Sequence, residues 1–168
     1  QATRGGGHGD YYTIVLAPKG VQEAADLTYE AFGLAEKWRM PVLILADGLI
    51  GQMMEGVVLP EPIDPVNLQR KSWAVGHSVE MARPYNHISS INLIPDELEA
   101  MNRKRFERYA QIKKELIRYE EIEVEDADIV FVAYGTSARV SHGALQIARA
   151  KGMKVGLFRP ITLWPFPY

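Results

Sequence analysis

The chain has 168 residues, 47% of them apolar and 24% charged, which fits a soluble globular protein and excludes disorder and collagen-like repetition. A net charge of −2 gives no electrostatic footprint for nucleic acid or an anionic membrane, and no apolar run approaches the roughly 20 residues that span a bilayer. With no cysteine, a disulfide scaffold, a thiol nucleophile, a zinc–thiolate site and a cysteine-held iron–sulfur cluster are excluded in this chain. Tyr11–Ala17, rich in β-branched and aromatic residues, predicts a strand ending at Pro18. From Val21 to Trp38 the apolar residues recur at 3.6-residue spacing, which predicts an amphipathic helix stopped by Pro41. Pro41–Ala46 is a continuous apolar strand of the kind found inside a parallel sheet covered on both faces, so the first block is a βαβ unit.

Residues 55–92 read differently. Pro60, Pro62, Pro65 and Pro84 interrupt any long element there, which marks a connector that also holds His77 and His87. A long helix is expected over Asp96–Glu121, with Pro95 suited to its first turn and a solvated face laced with ion pairs three and four apart. The last block repeats the first pattern. Ile129–Tyr134 predicts a strand, Gly135–Ser137 a turn and Ala138–Ala150 a helix, with Gly152 placed for a left-handed cap. Lys154–Arg159 is the next strand, and residues 160–163 lead away from it. The two blocks imply parts of two α/β domains.

Gly5–Asp10 is the most unusual local sequence. It precedes a strand, whereas a dinucleotide-binding loop follows one, so it is either a flexible lead-in or a place where backbone approaches a ligand beside His8 and Asp10. Asp47-Gly48 follows the second strand, at the carboxyl end where ligands gather in parallel sheets, and is equally a tight turn. Met53 and Met54 are read as packing residues. The amides of Gly135–Ser137 are placed to receive an anion at a helix N-terminus, while Thr136 and Ser137 serve equally well as caps. His8, His77, His87 and His142 form no metal-binding spacing, and there is no nucleophile elbow or P-loop.

Gly6–Asp10 followed by Ile14–Pro18, then Pro41–Glu55, Asp126–Val130, Tyr134–Arg139 and Phe158–Pro167 resemble the alpha-type subunit of the 2-oxoacid:ferredoxin oxidoreductases, with Asp47–Glu55 most like the branched-chain (2-ketoisovalerate) enzymes. The resemblance implies an α/β fold: an incomplete doubly wound parallel sheet of a thiamine-diphosphate pyrimidine domain over residues 1–58, a connector over 59–95, then the long helix and a truncated transketolase-C-like domain over 96–168. It implies CoA-dependent oxidative decarboxylation of a 2-oxoacid, such as 2-ketoisovalerate, to acyl-CoA and CO2 with reduction of ferredoxin. Thiamine diphosphate and Mg2+ would be bound with a beta subunit, iron–sulfur clusters would lie in partner subunits, and gamma and ferredoxin-like delta subunits complete the complex in the cytoplasm.

On this resemblance His8, Asp10, Asp47 and Gly48 lie near cofactor or substrate, no catalytic residue is assigned, and no metal ligand is expected. The family's activating glutamate and substrate-facing arginine loop fall ahead of Gln1. The chain, opening on a glycine run without an initiator Met, is therefore expected to be a piece of a longer polypeptide, inactive alone and prone to self-association. The alternative is a scaffold and subunit-interface module of the same complex. An unrelated small-molecule-binding module using the Gly135–Ser137 turn is the third reading.

Overall fold

Three consecutive aliphatic residues, Ile14–Leu16, form β1, and all three are fully buried. The computed structural model describes residues 2–4, 11–62, 71–75 and 85–168. They fall into two units, residues 1–60 with 107–168 and residues 61–106. In the first unit β1 is the middle strand of a three-stranded sheet. It pairs in parallel with β2 (Val42–Ile44) and antiparallel with β6 (Thr162–Trp164).

The helix α1 (Val21–Trp38) joins β1 to β2, as its apolar spacing predicts. Arg39 closes it in the left-handed region at φ 52°, donating its N–H to the Ala35 carbonyl, and Pro41 prevents continuation. Leu27 and Trp38 of α1 enter a core shared with β1, Tyr109, Ile112, Leu116 and Trp164. Tyr12 stacks on Trp164 at 4.8 Å, and Tyr109 meets both rings edge-on at 5.1 and 5.4 Å. The Tyr12 backbone N–H donates to the Tyr109 hydroxyl at 3.2 Å, so that buried polar tip is used.

β2 leads into a short helix, α2 (Gly48–Gln52). After the connector, α3 runs Pro95–Glu115. A second sheet follows in the order β3 (Tyr119–Ile122), β5 (Val155–Pro160), β4 (Ile129–Val132), with β3 antiparallel and β4 parallel to the central β5. The helix α4 (Gly135–Ala150) joins β4 to β5 and buries Ala138 and Leu145. Gly152, at φ 79°, ends it by donating to the Arg149 carbonyl. The second block is thus a βαβ unit like the first.

Three expectations are corrected. The long helix stops at Glu115 rather than Glu121, because Leu116 caps the core contact and Tyr119–Ile122 find a full ladder on β5. Residues 162–164 do not lead away but add β6 to the first sheet, where Thr162 is fully buried and its hydroxyl accepts from the Arg118 N–H at 3.0 Å. Residues 135–137 are the first turn of α4 rather than a separate turn. In addition, β2 is an edge strand among the described residues, with Leu43 37% exposed, and is not covered on both faces.

In the second unit the described residues outside α3 carry no helix or strand, and Asn86 holds residues 71–75 through the Ser72 and Ala74 carbonyls at 2.6 and 3.0 Å. Glu99 and Arg103 pair at i and i+4 on α3, as its charge pattern predicts. Among the described residues no helix is long and apolar enough to cross a membrane.

Gly156 lies where β5 passes the loop before β4: a Cβ there would sit 2.8 Å from the Glu123 carbonyl oxygen and 2.9 Å from the Val124 Cα. Both neighbours are backbone and cannot swing aside. Gly156→Ala is expected to cost about 1–3 kcal/mol in urea denaturation, whereas Gly143→Ala, which meets nothing within 4 Å, is expected not to destabilise.

Candidate functional site

The carboxyl ends of β1 and β2 are where a parallel sheet offers a ligand site. Here that region is met by side chains of the second block. Asp47 follows β2 and caps α2, its Oδ1 accepting the N–H groups of Leu49 and Ile50 at 3.1 and 3.0 Å. The same carboxylate reaches α4. Its Oδ2 accepts the Thr136 N–H at 2.8 Å and its Oδ1 accepts the Thr136 hydroxyl at 2.7 Å.

The anion received at the start of α4 is therefore a carboxylate of the chain itself. Thr136 does not cap its own helix, whose N-cap Tyr134 makes no side-chain cap bond. Hydrogen bonds from Ile50, then from the Thr136 amide and hydroxyl, hold the Asp47 carboxyl at about 2. Gly135 permits the approach: it sits at φ 60°, and a Cβ there would lie 2.9 Å from Asp47 Oδ2.

Beyond α2 the chain crosses back over α4 to α1. Met53 accepts from Arg139 Nη1 at 3.2 Å, and Glu55 takes the same nitrogen at 2.8 Å while also accepting the Val21 N–H at 3.3 Å. That arginine first, then the Val21 amide, lowers the Glu55 carboxyl below its ordinary range. Gln22 then exchanges two bonds with the Val58 backbone, at 2.8 and 3.0 Å.

Behind this strap lies a pocket of about 520 Å³ whose charged lining includes Lys19, Glu23, Glu55, Glu120, Arg139 and Arg159. Arg159 is its floor, 1% exposed. Its Nη1 and Nη2 donate to the two oxygens of Glu23 at 3.0 and 2.8 Å, and its Nε donates to Glu120 at 2.9 Å. Burial opposes the charge, but the bonds to Glu120 and Glu23 outweigh it and raise the guanidinium further. Glu120, bonded first to Arg159 and also to Lys19, is held at about 2.

Of the residues proposed from sequence, Asp47 is the hub of this junction. Gly48 is the first residue of α2, with open space around the position of a Cβ. His8 and Asp10 lie outside the described residues. His142 lines the pocket, and no three His, Asp or Glu side chains converge as a metal site among the described residues. Sequence reading missed Glu23, Glu120 and Arg159. One signal was available: Arg159 is the single charge in the otherwise apolar stretch Val155–Pro160, and a charge there demands a partner.

Arg159→Met is expected to cost about 2–4 kcal/mol in thermal or urea unfolding, since it strands two partly buried carboxylates. The Asp47→Ala change is expected to lower the midpoint of the same unfolding transition, since it removes a helix cap. A carboxyl held at about 2 against an ordinary 3.8 stabilises the fold above pH 3.8 and loses that contribution as pH falls toward 2. Asp47→Asn should therefore flatten the acid limb of a stability–pH profile over that window.

Residues 2–129 match the family described as pyruvate flavodoxin/ferredoxin oxidoreductase, thiamine diphosphate-binding, and residues 127–168 match pyruvate:ferredoxin oxidoreductase core domain II. Over 167 residues the chain is 53% identical to the ketoisovalerate oxidoreductase subunit VorB of Methanothermobacter marburgensis, covering 99% of this chain and 47% of that protein. The 2-oxoglutarate synthase subunit KorA of Methanocaldococcus jannaschii is 36% identical over 184 residues, covering 98% of this chain and 50% of that one. Among solved structures, the 2-oxoglutarate:ferredoxin oxidoreductase from Magnetococcus marinus with 2-oxoglutarate, coenzyme A and succinyl-CoA bound superposes with a TM-score of 0.72 at 26% identity, covering 96% of this chain and 33% of that one. The chain spans about half the length of the curated relatives it matches. It belongs to the thiamine diphosphate-binding family of the pyruvate flavodoxin/ferredoxin oxidoreductases and continues into their core domain II.

Proposed function

We propose that this chain is part of the alpha-type subunit of a 2-oxoacid:ferredoxin oxidoreductase that converts 2-ketoisovalerate and coenzyme A to the acyl-CoA and CO2 while reducing ferredoxin. The observation that carries this reading is identity of 53% and 50% to two ketoisovalerate oxidoreductase subunits across 99% of the chain, against 36% for the 2-oxoglutarate synthase subunit of M. jannaschii. Residues 1–58 are the pyrimidine-domain part, 59–95 the connector and 96–168 the helix with the transketolase-C-like part. Beta, gamma and ferredoxin-like delta subunits are its proposed partners in the cytoplasm, with iron–sulfur clusters on those partners, since this chain has no cysteine.

The described residues do not by themselves fit thiamine diphosphate and Mg2+. Asp47 and Glu55, the carboxylates beside the strand ends, are taken up by amide, hydroxyl and guanidinium donors of the chain, and no metal-ligand group converges. No step of the reaction is therefore assigned to them. His8 and Asp10 are proposed to approach the cofactor, and Asp47 with Gly48 to act as a positioning pair that fixes the strand ends around it.

A complex containing this subunit, purified intact, tests the substrate. With a viologen acceptor and coenzyme A, kcat/KM for 2-ketoisovalerate is expected to exceed that for 2-oxoglutarate or pyruvate by about tenfold or more. Preference for 2-oxoglutarate contradicts the reading. The saturation of Asp47 by internal donors also supports the scaffold role of this segment: Asp47→Asn should lower the yield and thermal midpoint of the complex while kcat per assembled complex stays within about twofold. A collapse of kcat in a fully assembled, normally stable variant would make Asp47 catalytic instead.

A further inference from the structure

The pocket behind the strap has two walls of opposite charge. The N-terminal half of α1 contributes Glu23 and Asp26, and α4 contributes Arg139 and His142, three residues apart and so on one helix face. Its floor is one face of the second sheet. In the β3–β5 ladder Ile122 stands opposite Leu157 and Glu120 opposite Arg159, two residues apart along each strand, so the apolar pair and the ion pair point the same way. The floor is therefore apolar at one end and charged at the other.

Much of the charge here is already taken. Arg159 holds Glu23 and Glu120, Lys19 holds both oxygens of Glu120 at 3.0 and 2.8 Å, and Glu55 holds Arg139 through Nη1. What is left over among the described residues is specific. Arg139 keeps Nε and Nη2 without a partner, and His142 keeps both ring nitrogens. Asp26 keeps Oδ2 without a donor, its Oδ1 being taken by Gln22 at 2.8 Å.

The balance of charge selects among ligands. Lys19, Arg139 and Arg159 face Glu23, Asp26, Glu55 and Glu120, so with His142 neutral the lining carries an excess negative charge. A lone anion, and still more a polyphosphate, would enter against that balance. A ligand that brings one cation together with one carboxylate would not. The cavity of about 520 Å³ falls within the range of about 300–1,000 Å³ usual for small-molecule sites.

We propose that this pocket binds a small aliphatic α-amino acid as its zwitterion. Nε and Nη2 form one edge of the Arg139 guanidinium, the fork that receives a carboxylate with two parallel bonds, and His142 stands beside it. The ammonium is taken by Asp26 on the facing wall. The aliphatic side chain lies on Ile122 and Leu157.

Isothermal titration of an intact complex containing this subunit tests the assignment with three probes. L-valine carries both charges, isovalerate the carboxylate alone and isobutylamine the ammonium alone, each with a branched aliphatic group. L-valine is expected to bind with a Kd of about 1 mM or tighter, and each single-charge probe about tenfold or more weakly. Asp26→Asn, which removes the charge at an exposed position, and Arg139→Gln are each expected to weaken L-valine by about tenfold or more. Arg139 also braces Glu55, so Asp26→Asn decides the matter if the arginine variant fails to assemble. No saturable binding of L-valine up to about 20 mM, isovalerate binding as tightly as L-valine, or L-valine binding unchanged in Asp26→Asn would each overturn the proposal.

Discussion

A guanidinium with 1% of its surface exposed has to be neutralised within the fold, and most of the arrangement around the pocket follows from how Arg159 achieves this. Its partners come from elements far apart in sequence, Glu23 on α1 and Glu120 on β3. Satisfying both requires the N-terminal turn of α1 to lie against the second sheet. Lys19, at the end of the β1 segment, then shares Glu120 at 2.8 Å and offers its own N–H to Glu23 at 2.7 Å. The chain leaving β5 returns as β6 alongside β1. Charge pairing and strand pairing therefore tie the same two blocks together.

That arrangement decides what the strand ends can do. In an isolated βαβ unit the carboxyl ends of β1 and β2 would be open to a ligand. Here the start of α4 lies against them, and Asp47, nominated from sequence, serves with Glu55 as cap and ion-pair partner. Asp47 satisfies donors on two helices, and Glu55 links Arg139 to the first amide of α1.

The local plan was legible in the sequence and the distant pairings were not. Apolar periodicity and Pro41 defined α1 at Val21–Trp38, and Gly152 marked the end of α4. Periodicity misled at residues 116–121, where Leu116 and Tyr119 extend the helical spacing although Tyr119–Ile122 can pair with β5 and do. Proline at 160 suggested an exit, yet only two residues further on a strand ladder resumes, because Thr162 can bury its hydroxyl against Arg118. Asp47-Gly48 was readable as turn chemistry. That the same carboxylate also reaches Thr136 depends on a partner 89 residues away and on the bare backbone of Gly135, neither of which a local motif reveals.

The claim that Asp47 beyond β2 and Glu120 in the pocket lining are consumed by internal donors is tested most directly by titrating them. Carbon-13 NMR of the Asp47 and Glu120 side-chain carboxyls against pH should give midpoints of about 2 for both in the folded chain. Values near 3.8 for Asp47 and 4.5 for Glu120, the ordinary ones, would contradict the account and return both acids to the pool of groups free to touch a ligand.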